Sequence, residues 1–167
     1  MTAAATAPRD DAVFQQAAGQ GRDWIAARVP HQGRMCLLDG VLRADAGGLS
    51  CRTLSHRDAD HPMRQGGRLG AACGIEYAAQ AMALHGALAA EARGAVRPKR
   101  GFLISVRSVA LHVSRLDDVP GEITVQVRAD ADNGDHSVYT FSLSAGARCL
   151  VEGRAVVMLD APSSSSS

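Results

Sequence analysis

Gly74-Ile75-Glu76-Tyr77-Ala78-Ala79-Gln80-Ala81-Met82-Ala83 lies inside a run over residues 71–92 in which Ile75, Ala79, Met82, Ala83 and Leu88 recur near helical period. β-Branched residues are almost absent and alanine is abundant, so the run predicts one long central helix. Gly74 and the many alanines predict close backbone packing against a sheet and burial of most of the helix. Glu76 stands on its apolar side, fifteen residues after the His61-Pro62 pair of a polar, glycine-rich loop. Neither residue is a choice for packing alone, and an imidazole with a carboxylate tuned by burial makes a general acid/base pair.

The elements on either side fix the layout. Residues 23–28 predict a short helix ended by Pro30, and residues 35–44 an apolar strand closing in the turn Ala44-Asp45-Ala46-Gly47-Gly48. Residues 49–54 alternate like the return strand of a hairpin, and residues 56–70 form a long charged loop. Beyond the helix, strand-like runs over residues 102–113, 122–129, 138–145 and 148–159 are separated by Val119-Pro120-Gly121, Asp132-Asn133-Gly134-Asp135 and Ala145-Gly146, which implies an antiparallel meander. A curled antiparallel sheet wrapped around one long central helix buries both partners: an α+β chain of the hotdog fold. A lone sheet of this kind leaves an edge strand exposed, and pairing into a homodimer, or a heterodimer with a related chain, would cover it.

With 167 residues, 46% of them hydrophobic, the chain makes one domain, expected over residues 21–160. Residues 1–20 and the serine-rich 161–167 are expected to be tails without fixed structure. A net charge of +1 gives no global reason to bind nucleic acid or a membrane surface. The 4% of aromatic residues also argues against base stacking. Arg93, Arg97, Lys99, Arg100 and Arg107 face only Glu91 between residues 91 and 107, a patch that suits an acidic protein or a phosphate and equally a solvated loop. Cys36, Cys51, Cys73 and Cys149 lack Cys-x-x-Cys spacing and read as reduced, small core residues. The first residues lack a signal peptide's basic and apolar regions, and no stretch is apolar enough to span a bilayer, so a cytoplasmic location is expected.

Two blocks carry a family resemblance. The first is Val29-Pro30-His31-Gln32-Gly33-Arg34-Met35-Cys36-Leu37-Leu38-Asp39-Gly40-Val41; the second is His61-Pro62 with Glu76 and Gln80. Together they resemble the β-hydroxyacyl-[acyl carrier protein] dehydratase family of fatty acid synthesis, over about residues 23–160. The form His-Pro-x-Arg-x-x-Gly-Arg-Leu with Gly-Ile-Glu-Tyr-Ala-Ala-Gln-Ala-Met-Ala is more similar still to the divergent dehydratase branch of aryl polyene pigment pathways. The resemblance implies that His61 takes the C2 proton of a (3R)-3-hydroxyacyl thioester and Glu76 protonates the departing C3 hydroxyl, giving the trans-2-enoyl product. In the family the two residues come from opposite subunits. Backbone N–H groups at Cys73 and Gly74 would hold the thioester carbonyl, and Gln80 would orient Glu76 or line the substrate. The resemblance implies no bound cofactor or metal, since the substrate rides on the phosphopantetheine of an acyl carrier protein. Arg64, Arg68, Arg97, Lys99 and Arg100 are candidates to dock that acidic carrier.

The chain departs from the family where Gly70-Ala71 replaces a Pro-Gly pair and where the His-to-Glu spacing is one residue longer, both beside the expected carbonyl site. Two further functions therefore stand beside the dehydratase: a non-catalytic hotdog subunit that stabilises an active partner, and a hotdog acyl thioesterase. His31 reads as a structural hydrogen-bonding residue, and Asp39 as a tie for a neighbouring loop. His56, His85, His112 and His136 have no metal-ligand company in the sequence. No nucleophile elbow, phosphate-binding loop or dinucleotide fingerprint occurs.

Overall fold

The computed structural model describes residues 8–95 and 101–159. Its strands are β1 (Gly40–Asp45), β2 (Gly48–Thr53), β3 (Gly101–Leu111), β4 (Ile123–Asp132), β5 (His136–Ala145) and β6 (Arg148–Leu159). They form one antiparallel sheet in the order β1-β2-β4-β5-β6-β3. Tight turns join β1 to β2, β4 to β5 and β5 to β6, but β3 does not continue into β4 as a full meander requires. Residues 112–122 instead fold back on the charged loop, where Gly70 bridges Arg115 and the Leu116 N–H donates to Leu69 O at 2.8 Å. That detour leaves β3 at the far edge, paired among the described residues only with β6.

The helices are α1 (Pro8–Ala17), α2 (Arg22–Ala26) and α3 (Gly74–Ala92). Helix α3 buries Tyr77, Ala78, Ala81, Met82, Leu84 and Leu88 against the sheet, whose inward residues include Ile123, Val125, Val127, Phe141, Leu143 and Val151. The approach is close at Gly74, where an added Cβ would sit 3.1 Å from Leu143 and 3.2 Å from Val151. Strand β5 alternates in step, with Ser137, Tyr139, Phe141 and Leu143 inward. This is the hotdog arrangement the elements imply.

Several boundaries differ from the sequence expectation, and three of them bear on the site or the core. Residues 8–20 are not a tail: α1 buries Phe14 and Ala17, and Gly19 and Gln20 exchange backbone bonds with Val41. Two apolar residues three apart on one turn suffice for that docking. Residues 71–73 form a 3₁₀ turn, and the α-helix begins at Gly74. The first strand begins at Gly40 rather than residue 35, because residues 33–35 form a 3₁₀ turn and Leu37 gives both backbone groups to side chains: its N–H to Gln80, its C=O to Ser55 and Thr53. Among the described residues no helix is long and apolar enough to cross a membrane.

Candidate active site

His61 lies in the loop between β2 and α3, and its burial is set by that loop's own bonds. A 3₁₀ turn, Ser55–Arg57, leads in, and the His61 N–H donates to Asp58 O at 3.1 Å. Arg64 pins the far side, donating to Gly67 O at 2.8 Å and lying 3.7 Å from Asp117, which also accepts the Leu69 N–H. The imidazole is left 5% exposed. Its Nδ1 accepts the Met63 N–H at 3.1 Å, so in the neutral ring the proton sits on Nε2 and is donated to the Tyr77 hydroxyl at 3.0 Å. With its oxygen accepting from His61, Tyr77 donates onward to Ser55 Oγ at 2.8 Å, and Ser55 to Leu37 O at 2.7 Å. Burial, ahead of the nearby charges, lowers the His61 pKa below its ordinary value and raises that of the Tyr77 phenol. The imidazole is thus neutral at neutral pH, with its only lone pair taken.

Glu76 takes a different side of α3. Adjacent helical residues point roughly 100° apart, so while Tyr77 turns inward to His61, Glu76 turns toward the segment ahead of β1. Its Oε1 lies 2.8 Å from His31 Nε2 and 3.3 Å from Gln80 Nε2. The His31 and Glu76 side chains are 27% and 28% exposed, so this pair reaches solvent where His61 does not. Gln80 is fully buried; its Nε2 also donates to Met35 O at 2.6 Å and its Oε1 accepts the Leu37 N–H at 2.9 Å. Gln80 is therefore a clamp that fastens residues 35–37 to the helix, not a group free to meet substrate. Leu37 joins the two halves, since its N–H belongs to the Gln80 cluster and its C=O to the His61–Tyr77–Ser55 chain. Among the described residues no hydrogen bond or ion pair joins His61 to Glu76.

The remaining expected residues fall as follows. The Cys73 N–H donates to Gly70 O at 3.0 Å and the Gly74 N–H turns back to Ala71 and Ala72, so the 3₁₀ turn that starts at Ala71 consumes both donors expected to hold a carbonyl. Arg64 is committed to Asp117 and to the loop, while Arg68 is exposed at the loop tip. Arg97, Lys99 and Arg100 lie outside the described residues. Asp39 ties the end of β2 to the segment ahead of β1, accepting the Leu54 N–H at 2.6 Å and pairing with Arg22. His85 is buried on α3, where its Nε2 donates to Asp45 O at 3.0 Å and its Nδ1 accepts from the Tyr139 hydroxyl at 2.9 Å. Tyr77 and Ser55 have no functional reading in the sequence; the available signal was a tyrosine on an otherwise aliphatic helix face, since a buried phenol needs a partner.

An open cleft of about 330 Å³, lined by Arg22, Asp39, Arg52, Leu54, Ser55 and Asp58, lies beside the His61 loop. A smaller hollow of about 30 Å³, sharing Arg22, Ser55 and Asp58, reaches His61 and Pro62. That volume holds a water molecule but not an acyl chain.

A sheet curled around one long, largely buried helix defines a protein of the hotdog fold. A family model described as ApeP-like, ApeP dehydratase, matches residues 23–165, and the chain belongs to this ApeP-like dehydratase family. Among solved structures it is similar to the dehydratase heterocomplex ApeI:P from Xenorhabdus doucetiae: TM-score 0.72 at 20% identity, covering 82% of this chain and 91% of that one. It is also similar to a hypothetical thioesterase with coenzyme A from Streptococcus pneumoniae, with TM-score 0.53 at 11% identity over 72% of this chain and 84% of that one. An uncharacterised protein from Pyrococcus horikoshii gives TM-score 0.57 at 11% identity, over 86% and 95%. No curated protein matches the chain in sequence.

Proposed function

We propose that this chain is one subunit of a dehydratase acting on a (3R)-3-hydroxyacyl thioester of an acyl carrier protein, in aryl-polyene or fatty-acid type synthesis, and that it works beside a second, related hotdog chain. The observation that carries this reading is the asymmetry of the two halves: Glu76 is part-exposed and held by His31, while His61 is buried with its lone pair taken by the Met63 N–H. Membership of the dehydratase family and similarity to a dehydratase heterocomplex support it. In this reading Glu76, with His31 2.8 Å away to share its proton, is the acid. It protonates the C3 hydroxyl as the C3–O bond breaks and water leaves. The C2 proton goes to a base supplied by the partner chain, and its bonding electrons form the C2–C3 double bond. Arg68, with Arg97, Lys99 and Arg100, steers the acidic carrier, so added salt weakens the encounter.

The test is conversion of a 3-hydroxyacyl carrier-protein thioester to its enoyl product, followed by mass spectrometry on the complex co-purified with its partner chain. Glu76→Gln is expected to lower the rate by about 100-fold or more, and His61→Ala by less than about tenfold. Full activity in the Glu76→Gln complex overturns the reading, as does release of free acid in place of enoyl thioester, which marks a thioesterase. A second reading, a self-sufficient dehydratase with His61 as base, is favoured by the burial that keeps His61 neutral. Equal losses in both variants of the chain alone select it.

A further inference from the structure

On the outer face of the sheet, far along β6 from its pairing with the start of β3, an imidazole, a thiol and a carboxylate converge. His112 follows β3, Cys149 and Glu152 lie on β6, and one ligating atom from each falls within 4.8 Å of the other two. The convergence is built by the backbone. Residues three apart on a regular strand face opposite sides, so Cys149 and Glu152 would be separated by the sheet. The β5–β6 register jumps between Leu143↔Val151 and Ser144↔Cys149, leaving Leu150 as an extra residue. Leu150 and Val151 are accordingly both buried, and Cys149 and Glu152 share the outer face. The β3–β6 pairing sets Ala110 opposite Glu152, and the His112 N–H donates to Leu150 O at 2.8 Å, which brings the imidazole alongside.

We propose that His112, Cys149 and Glu152 form a binding site for a zinc-class divalent cation, with water completing a tetrahedron. A zinc ion bonded to sulfur at about 2.3 Å and to nitrogen and oxygen at about 2.1 Å sets ligand-to-ligand separations of roughly 3.4–3.6 Å. Cys149 Sγ lies 3.2 Å from Glu152 Oε2 and His112 Nε2 lies 3.8 Å from the carboxylate's other oxygen, Oε1, and with one ligating atom from each residue all three lie within 4.8 Å of one another. The side chains are half exposed at His112 and Glu152, so rotamer adjustment closes the remaining gap without moving the sheet. Thiolate with imidazole selects zinc, cobalt or a similar borderline ion over magnesium or calcium. Binding forms the metal–sulfur bond as the thiol proton passes to solvent.

The test uses the full chain with Zn²⁺ titrated calorimetrically and Co²⁺ as the spectroscopic probe. One equivalent is expected to bind, with a cobalt–thiolate charge-transfer band in the near ultraviolet that is absent in Cys149→Ser and retained in Cys73→Ser. His112→Gln and Glu152→Gln, changes at exposed side chains, should each weaken binding by about tenfold or more. Absence of stoichiometric binding, or affinity unchanged in both of those variants, overturns the proposal.

Discussion

At the scale of single residues, buried histidine is the recurring device. His56, His61 and His85 are all buried, and desolvation is the first cause of the lowered pKa in each. For His85 the neutral ring is also fixed by its bonds, since Nδ1 accepts from Tyr139 while burial works against the charged form. The sign follows from linkage. An unfolded chain binds these protons near pH 6.5, whereas the folded chain holds the three rings neutral to lower pH, so the unfolded state takes up more protons as the solution is acidified. The stability they contribute is complete above about pH 6.5 and is lost as pH falls from there toward the lowered folded values. Urea midpoints should therefore drop between about pH 7.5 and 5.5; a flat or rising midpoint contradicts this account. How far the site was legible also shows at this scale. His61 and Glu76 stood out because their types are wrong for packing, but the hydroxyl that receives the His61 proton comes from Tyr77, whose direction depends on helix packing. His31 read as structural, and only the folded chain brings it within 2.8 Å of Glu76.

At the scale of elements, small residues decide how closely backbones approach. A Cβ on Gly48 would meet Val127 O at 2.2 Å, a backbone atom in the paired strand β4, so no side-chain movement relieves it. Gly48→Ala should destabilise the protein by about 2 kcal/mol or more. Gly86, in the interior of α3, has nothing within 4 Å of the same position, and Gly86→Ala should stabilise by about 0.5–1 kcal/mol through helix propensity. Thermal unfolding of the two variants checks the pair, and shifts of the same sign in both refute the packing argument. The periodicity of α3 was readable because its burial repeats along one helix, and β5 because it alternates strictly. The start of β1 was not, because the apolar residues 35–38 look like a strand while side chains from Gln80, Ser55 and Thr53 take the backbone groups of Leu37.

At the scale of the whole molecule, β3 is the feature left incomplete. It is an edge strand whose only charged residue is Arg107, and Phe102 and Ile104 are 48% and 47% exposed, with Leu103, Val109 and Leu111 also open. A long apolar edge with a single charge favours pairing with another chain. Sedimentation of the full chain, alone and with the related hotdog chain proposed above, should show an assembly of at least two subunits, and Ile104→Lys should weaken it by about tenfold or more. A monomer under both conditions contradicts the expectation.

The chain's own order of residues determined the hotdog layout, because one alanine-rich helix between a hairpin and a set of strands has few ways to bury its apolar faces. It also marked His61 and Glu76, since chemistry-bearing side chains in apolar or glycine-rich surroundings stand out locally. Tertiary structure decided the rest. It docked residues 8–20 as part of the fold, sent β3 to the far edge, and turned His61 inward to Tyr77 and Glu76 outward to His31. It also gathered His112, Cys149 and Glu152 across a bulge. Those outcomes depend on long-range pairing and on which way a side chain points, and neither is carried by the spacing of residues along one segment.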